Sequence, residues 1–315
     1  MKAVVADTYG DNSLLRVAER PDPKVGLDTV LVRTRAVGLN PVDWKILRGY
    51  LDPVFPASFP LIPCWDVAGV VEAVGPAVTE WAPGDEVVAY DREDGLGNGT
   101  LAELTGLPVR CVAPKPARAS WPEAGGLPLA GLTAYQALFT HLQITAGDTV
   151  LVHAASGGVG SFAVQLARLA HARVIGSASP AKHDYLRGLG AEPVTYGEGL
   201  VDAVKQLAPG GLTAVLDLVG GVALEQSVQL LAPGARLASV AEAETVKHLG
   251  GRYVFVRPSA TDLRELSRLV DAGLLRVVIA RTFTMESAAE AFDLLAEGHT
   301  KGKLVIELPQ TAACP

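Results

Sequence analysis

The sequence predicts an α/β protein: a small β-barrel or sandwich followed by a doubly wound parallel sheet. Up to about residue 118, short strand-like runs are broken at close intervals by Gly, Pro and Asp, the mark of a barrel or sandwich. From Trp121-Pro122-Glu123 onward, strand-like and helical runs alternate, the order of a parallel sheet with helices on both faces. These patterns divide the chain into 1–118, 119–257 and 258–315.

In the first region, residues 2–6, 29–37, 67–74 and 86–90 read as strands. Pro21-Asp22-Pro23, Pro76, Pro83-Gly84-Asp85 and the glycines between 95 and 99 break them. In the second region, 149–153 is a β run, and 160–170 is helical with Phe162, Leu166 and Leu169 near one face. Residues 173–176 are β again, and 181–189 form a helix that Gly190 ends as a C-terminal cap. The runs 194–196, 201–207, 214–218, 224–231 and 237–240 continue the alternation. Beyond about 258 come helical stretches at 261–272 and 286–296, an apolar run at 276–279 and a last strand at 303–308.

Of the 315 residues, 49% are hydrophobic and 19% charged, ample material for a core and unlike a disordered chain. The net charge is -7 and no run of lysines or arginines stands out, which argues against a nucleic-acid or anionic-membrane surface. One small basic pocket remains allowed. Cys64, Cys111 and Cys314 are far apart and odd in number, so no disulfide framework is expected. The start, MKAVVADTYG, lacks the features of a signal peptide. No apolar stretch approaches the roughly 20 residues that span a bilayer. A soluble cytoplasmic protein is the expectation.

Ala154-Ala155-Ser156-Gly157-Gly158-Val159-Gly160 stands directly between a strand and a helix. It is a dinucleotide fingerprint with Ala155 in the first glycine position. Gly157 would let the backbone approach a pyrophosphate, and Gly160 would let the helix pack on the strand. The helix N-terminus offers N–H groups and a positive dipole end to the phosphates. The bland reading is a turn with a packing role only.

The next strand bears on the cofactor. A site for NAD usually places Asp or Glu about 20 residues on, to bind the ribose 2′-hydroxyl. Here the strand ends in Ser177-Ala178-Ser179, and Lys182 follows. A hydroxyl and a lysine suit a 2′-phosphate, so NADP(H) is expected. Alternatively, Ser179 caps a helix and Lys182 is merely solvated.

Several blocks together resemble the medium-chain dehydrogenase/reductase superfamily in its zinc-free quinone oxidoreductase branch. They are Val37-Gly38-Leu39-Asn40-Pro41-Val42-Asp43-Trp44-Lys45 with Arg48-Gly49-Tyr50, and Pro63-Cys64-Trp65-Asp66-Val67-Ala68-Gly69. Leu127-Pro128-Leu129-Ala130-Gly131-Leu132-Thr133-Ala134-Tyr135, the fingerprint, Asp217-Leu218-Val219-Gly220-Gly221 and Gly302-Lys303-Leu304-Val305 complete the series. The resemblance implies a GroES-like catalytic domain, residues 1–118 completed by 258–315, and a Rossmann domain over 119–257. It also implies a cofactor in the cleft where the two meet.

The zinc-dependent relatives have a cysteine where Asn40 stands, a Gly-His-Glu block in the region of Pro63-Cys64-Trp65-Asp66, and a four-cysteine lobe. Residues 91–110 contain no cysteine, and the six histidines lack ligand spacing, so no metal is expected. Cys64 departs from a usual glycine and reads as a small buried hydrophobe; a reactive thiol would need a nearby cation or helix N-terminus. By resemblance, Asn40 would hydrogen-bond near the nicotinamide ribose, and Thr133 would sit close to the nicotinamide. Ser156, Gly157, Gly158 and Val159 would hold the pyrophosphate, and Ser177, Lys182 and Tyr196 the 2′-phosphate. The Val240 backbone would face the nicotinamide amide, Lys303 would approach the cleft, and Tyr50 with Trp44 would line the substrate pocket. Asn40, Tyr50 and Thr133 are the candidate catalytic residues. Against these stand plainer roles: Asn40 as a turn residue, Asp43 as a cap, Tyr50 as a packing aromatic, Lys303 as a solvated residue.

Without a Lewis acid, hydride would go to an acceptor already electrophilic. A quinone is the first expectation and an enal or enone the second. A cofactor-binding redox sensor or structural protein with little turnover is a third. The apolar run 253–256 at the sheet edge invites pairing with a second copy, so a homodimer is expected.

Overall fold

A computed structural model describes residues 1–309 of the chain; residues 310–315, Cys314 among them, lie outside the described residues. Strands β1 (Lys2–Val5), β2 (Arg16–Glu19) and β3 (Thr29–Gly38) open the chain, and helix α1 (Pro41–Leu47) follows. Next come β4 (Ala57–Ile62), β5 (Asp66–Val74), β6 (Glu86–Tyr90), β7 (Leu96–Asn98), β8 (Leu104–Pro108) and β9 (Val112–Pro114). Helices α2 (Trp121–Gly125) and α3 (Pro128–Tyr135) lead to β10 (Thr149–Val152), α4 (Gly158–Leu169), β11 (Arg173–Ala178) and α5 (His183–Leu189). The alternation continues through β12 (Glu192–Thr195), α6 (Leu200–Leu207), β13 (Leu212–Asp217), α7 (Gly221–Val228), β14 (Leu231–Ser239), α8 (Ala243–His248) and β15 (Arg252–Tyr253). Helix α9 (Ala260–Asp271), β16 (Ile279–Phe283), α10 (Ala288–Glu297) and β17 (Lys303–Glu307) end the described chain.

Contacts divide the chain into two compact units. Unit 1 holds residues 1–129, 257–273 and 277 onward; unit 2 holds 130–256 with 274–276. The change of sequence pattern at 118/119 precedes this boundary, because α2 belongs to unit 1 and lies on β3 and β5.

Unit 1 is organised on β3. Its first residues, Thr29–Arg33, pair with β8, and its last, from Ala36 to Gly38, pair with β17. Its other edge pairs antiparallel with β5, with two register shifts that bend the sheet. Val30 and Val32 of β3 meet Val67 and Val71 of β5, Val87 of β6 and Leu107 of β8 in one buried cluster. The chain's end is therefore built into the fold of its beginning. α9 adds to this, with Asp271 accepting from the Arg118 amide at 2.9 Å.

Unit 2 is a six-stranded parallel sheet ordered β12-β11-β10-β13-β14-β15. Counted within the unit this is 3-2-1-4-5-6, the doubly wound dinucleotide-binding order, whose strand direction of travel reverses between β10 and β13. Leu151, Ile175, Val215 and Leu237, one from each of four strands, share a core with Val204 of α6 and Leu224 of α7. Gly190 ends α5 at φ 89°, the left-handed cap the sequence implied. The edge strand expected over 253–256 is corrected to Arg252–Tyr253. Those two residues pair with β14, and the Val254 amide adds one bond to the Ser239 carbonyl at 2.9 Å; Val254 and Val256 are buried, and Phe255 stays 42% exposed.

The fingerprint turn shows why its glycines differ. A Cβ on Gly160 would stand 2.4 Å from the Ala154 carbonyl oxygen and 2.6 Å from Ala155 Cα. A Cβ on Gly157 would meet only the Ala154 oxygen, at 3.4 Å. Gly160→Ala is therefore expected to force α4 off the sheet and cost about 1–3 kcal/mol, the usual range for overpacking. Gly157→Ala should cost well under half of that, and paired urea denaturation curves check the contrast.

Candidate active site

Unit 1 buries a polar cluster where β5, α1, α3 and β17 meet. Asp66 is 0% exposed. Its Oδ1 accepts from the Leu129 amide at 2.7 Å and its Oδ2 from Asn40 Nδ2 at 2.9 Å. Lys303 Nζ lies 3.6 Å from the same Oδ2, donates to the Leu39 carbonyl at 2.7 Å and to Asn40 Oδ1 at 2.5 Å. Asn40 Nδ2 also reaches the Gly38 carbonyl at 3.3 Å. The amide of Asn40 is thus oriented from both ends, with its N–H groups spent and one lone pair of Oδ1 left.

Asn40 stands as N-cap of α1 with Pro41 in the first turn. Asp43 closes the cap, its Oδ2 accepting from the Asn40 amide at 2.7 Å. The capping role of Asp43 is therefore correct. Lys303 is buried, so the solvated reading fails; its donors are turned onto Leu39, Asn40 and Asp66. Cys64 is buried beside this cluster at φ 72°, a left-handed conformation that a glycine adopts without strain. Burial, then the charges of Asp43 and Asp66, push its thiol well above the usual range, so it is held as a thiol. Tyr50 is 62% exposed, its ring set edge-on to Trp44 at 6.0 Å.

In unit 2 the candidate residues gather at the carboxyl ends of the strands. Ser156, Gly157, Gly158 and Val159 form the turn after β10 and the start of α4. No side chain caps α4 at Gly157, so the first amides of this 12-residue helix suit a phosphate. With the open space at Gly157, that fits a pyrophosphate. Ala178 pairs with Thr195 in register, which sets Ser179 and Tyr196 side by side beyond the two strand ends. Lys182 is half-buried in the turn that follows, and Tyr196 is exposed. Val240 follows β14, its N–H bonded to the Asp217 carbonyl at 3.1 Å. Thr133 is buried within α3.

Ser177 is a correction. It is 1% exposed, and its hydroxyl lies 3.2 Å from His153 Nδ1. The strand ends at Ala178, so the hydroxyl beyond the strand end belongs to Ser179. His153 is a satisfied core histidine, its Nε2 2.8 Å from the Ser227 hydroxyl, and burial holds it neutral. Sequence reasoning passed over Asp66. Its signal was a carboxylate at the start of the apolar run Val67-Ala68-Gly69-Val70-Val71, where burial demands partners.

With both sites described, the class is clear: an oxidoreductase built on a GroES-like unit and a nicotinamide-binding unit. An alcohol dehydrogenase GroES-like domain model matches residues 26–117, and a zinc-binding dehydrogenase model matches 189–306. A chloroplastic quinone-oxidoreductase QR1 of Triphysaria versicolor is 33% identical over 98% of both chains. A chloroplastic NADPH-dependent alkenal/one oxidoreductase of Arabidopsis thaliana is 32% identical, over 97% of this chain and 79% of its own. The quinone oxidoreductase structure from Coxiella burnetii superposes with a TM-score of 0.86 at 30% identity, covering 98% and 99% of the two chains. The chain belongs to the medium-chain dehydrogenase/reductase superfamily, as a member of its quinone-oxidoreductase type. It is an oxidoreductase that uses a nicotinamide cofactor. Among the described residues no helix is long and apolar enough to cross a membrane.

The two buried carboxyls of this cluster differ in titration. Asp66 is pushed up to about 6 by burial, against Lys303 and its hydrogen-bond donors, and is ionised at neutral pH. Asp43 is pushed up to about 7 by burial, and its Oδ1 has no hydrogen-bond partner. Both values lie above the unfolded carboxylate range near 4. Between about pH 4 and 7 the folded chain keeps protons that the unfolded chain releases, so stability falls as pH rises through that window. The urea midpoint should drop between pH 5 and 7.5, equivalent to a few kcal/mol, and Asp43→Asn should flatten the drop.

Proposed function

We propose that this enzyme is an NADPH-dependent reductase that delivers hydride to a quinone without zinc. The end of β11 is the observation that carries the cofactor choice. Ser179, Lys182 and, across the strand pair, Tyr196 stand there, with no carboxylate between 177 and 182. That donor set suits a ribose 2′-phosphate, and the missing acid removes a repulsive neighbour. The backbone of Ser156, Gly157, Gly158 and Val159 holds the pyrophosphate at the N-terminus of α4. Val240 uses its carbonyl toward the carboxamide, because its N–H is already bonded to Asp217. Thr133 flanks the nicotinamide. Asn40 accepts, rather than donates, a hydrogen bond from a ribose hydroxyl, and Lys303 with Asp66 holds its amide for that task. When bound, the reduced nicotinamide supplies the hydride. The zinc-free reading is supported by Lys303, whose ammonium already neutralises Asp66 and occupies Asn40.

Reduction of an enal or enone is the second reading. It is favoured by relatives named as an alkenal/one oxidoreductase and a 2-methylene-furan-3-one reductase. NADPH oxidation measured against a quinone and an enone panel separates the two. Tight NADPH binding with no turnover on any acceptor would defeat both. Lys182→Ala should raise KM for NADPH about ten- to a hundredfold, the worth of a charge-assisted hydrogen bond, and leave KM for NADH within about twofold. Equal losses for the two nucleotides would contradict the phosphate pocket.

The enzyme works in the cytoplasm as a homodimer in this reading, paired along the β15 edge. Phe255, the exposed side chain beyond that edge, sits in the contact. Light scattering at micromolar protein should give twice the chain mass, and Phe255→Asp should return it to the monomer mass.

A further inference from the structure

Unit 1 holds a third buried acid that the reading above leaves unused. Asp91 follows β6, and its amide donates to the Trp65 carbonyl at 2.8 Å. The residue is 3% exposed, and its Oδ1 is buried with no hydrogen-bond partner. Asp91 lines a pocket open to solvent, together with Ile46, Trp65, Glu93, Leu96 and Asn98. The pocket's accessible space is about 10 Å³, room for one water-sized group. Oδ1 is closed off from that space as well as from partners, so the carboxyl's other oxygen, Oδ2, is the one that can face a ligand atom in the pocket.

We propose that this pocket receives the carbonyl end of the electron acceptor, with Asp91 as the hydrogen-bond donor to the carbonyl oxygen. The space among Ile46, Leu96 and Trp65 fits one oxygen atom, so only the carbonyl oxygen enters and the carbon skeleton stays outside. Glu93 at the rim disfavours an anionic ligand, so the class is an uncharged carbonyl compound. The donor form of Asp91 is the protonated acid. Burial first, then Glu93, push it up to about 8, while Arg110 opposes them. Cys111 is its other near neighbour and, raised to about 11, stays a neutral thiol. A hydrogen bond here strengthens as negative charge builds on the oxygen during hydride arrival. The inference rests on the reading of this protein as a quinone or enone reductase.

The test uses α-tetralone, a planar aryl ketone with no electrophilic double bond, titrated by calorimetry between pH 6 and 9 without nucleotide. In the wild-type chain the Kd should be flat below about pH 7 and rise about tenfold per pH unit well above 8. Asp91→Asn keeps an N–H donor, so its Kd should be flat throughout. Asp91→Leu should bind about tenfold more weakly at pH 6. A wild-type Kd indifferent to pH, tightening above pH 8, or no binding at all would each overturn the proposal, and the Asp91→Asn comparison holds even if Asp91→Leu fails to fold. NADPH binding, followed separately by the nucleotide's own fluorescence, tests the parent reading: its loss would overturn the cofactor assignment while leaving the ketone titration interpretable.

Discussion

Unit 1 depends on a carboxylate that has no contact with water. Asp66 can remain ionised only because the chain brings it donors from three other segments. Asn40 is 26 residues away, the Leu129 amide 63, and Lys303 reaches Asn40 across 263. A buried ion pair adds little to net stability, but stranding one partner costs about 3–5 kcal/mol. The cluster therefore acts mainly as a specification. It fixes where β17 docks on β3, how α1 begins, and where α3 starts, and a misplacement of any one strands a charge. The same bonds set the Asn40 amide, so the constraint that closes the fold also orients a candidate site residue.

Much of this architecture was legible beforehand because periodic patterns report on burial. The strands of unit 2 and the turn at 154–160 follow from alternation and glycine placement. So does the capping role of Asp43. Other features escaped because they are pairings between distant residues. Nothing local distinguishes Ser177 from Ser179, which share one parity; the end of β11 at Ala178 and the contact of Ser177 with His153 decide it. Lys303 reads as a strand residue of either exposure until its three partners are known. The edge strand is shorter than its apolar run because Val254 and Val256 serve the core, and the last bond to β14 comes from the Val254 amide.

Position 155 shows how a motif is kept by volume rather than by letter. The fingerprint's first glycine is alanine here, and Ala155 is completely buried. The opposing residue on β11 is Gly176, and a Cβ there would stand 2.9 Å from the Ala155 methyl. The Ala155 methyl fits because Gly176 leaves that space open. Close approach of α4 to β10 still depends on Gly160, which has no such partner: its would-be Cβ meets backbone atoms of Ala154 and Ala155, and backbone cannot be trimmed. The three glycine positions of the turn thus carry unequal constraints. The first is set against a neighbouring strand, the second is open, and the third is fixed by the chain itself. A sequence departing from the fingerprint at its first position is read correctly only with the residue across the sheet in view.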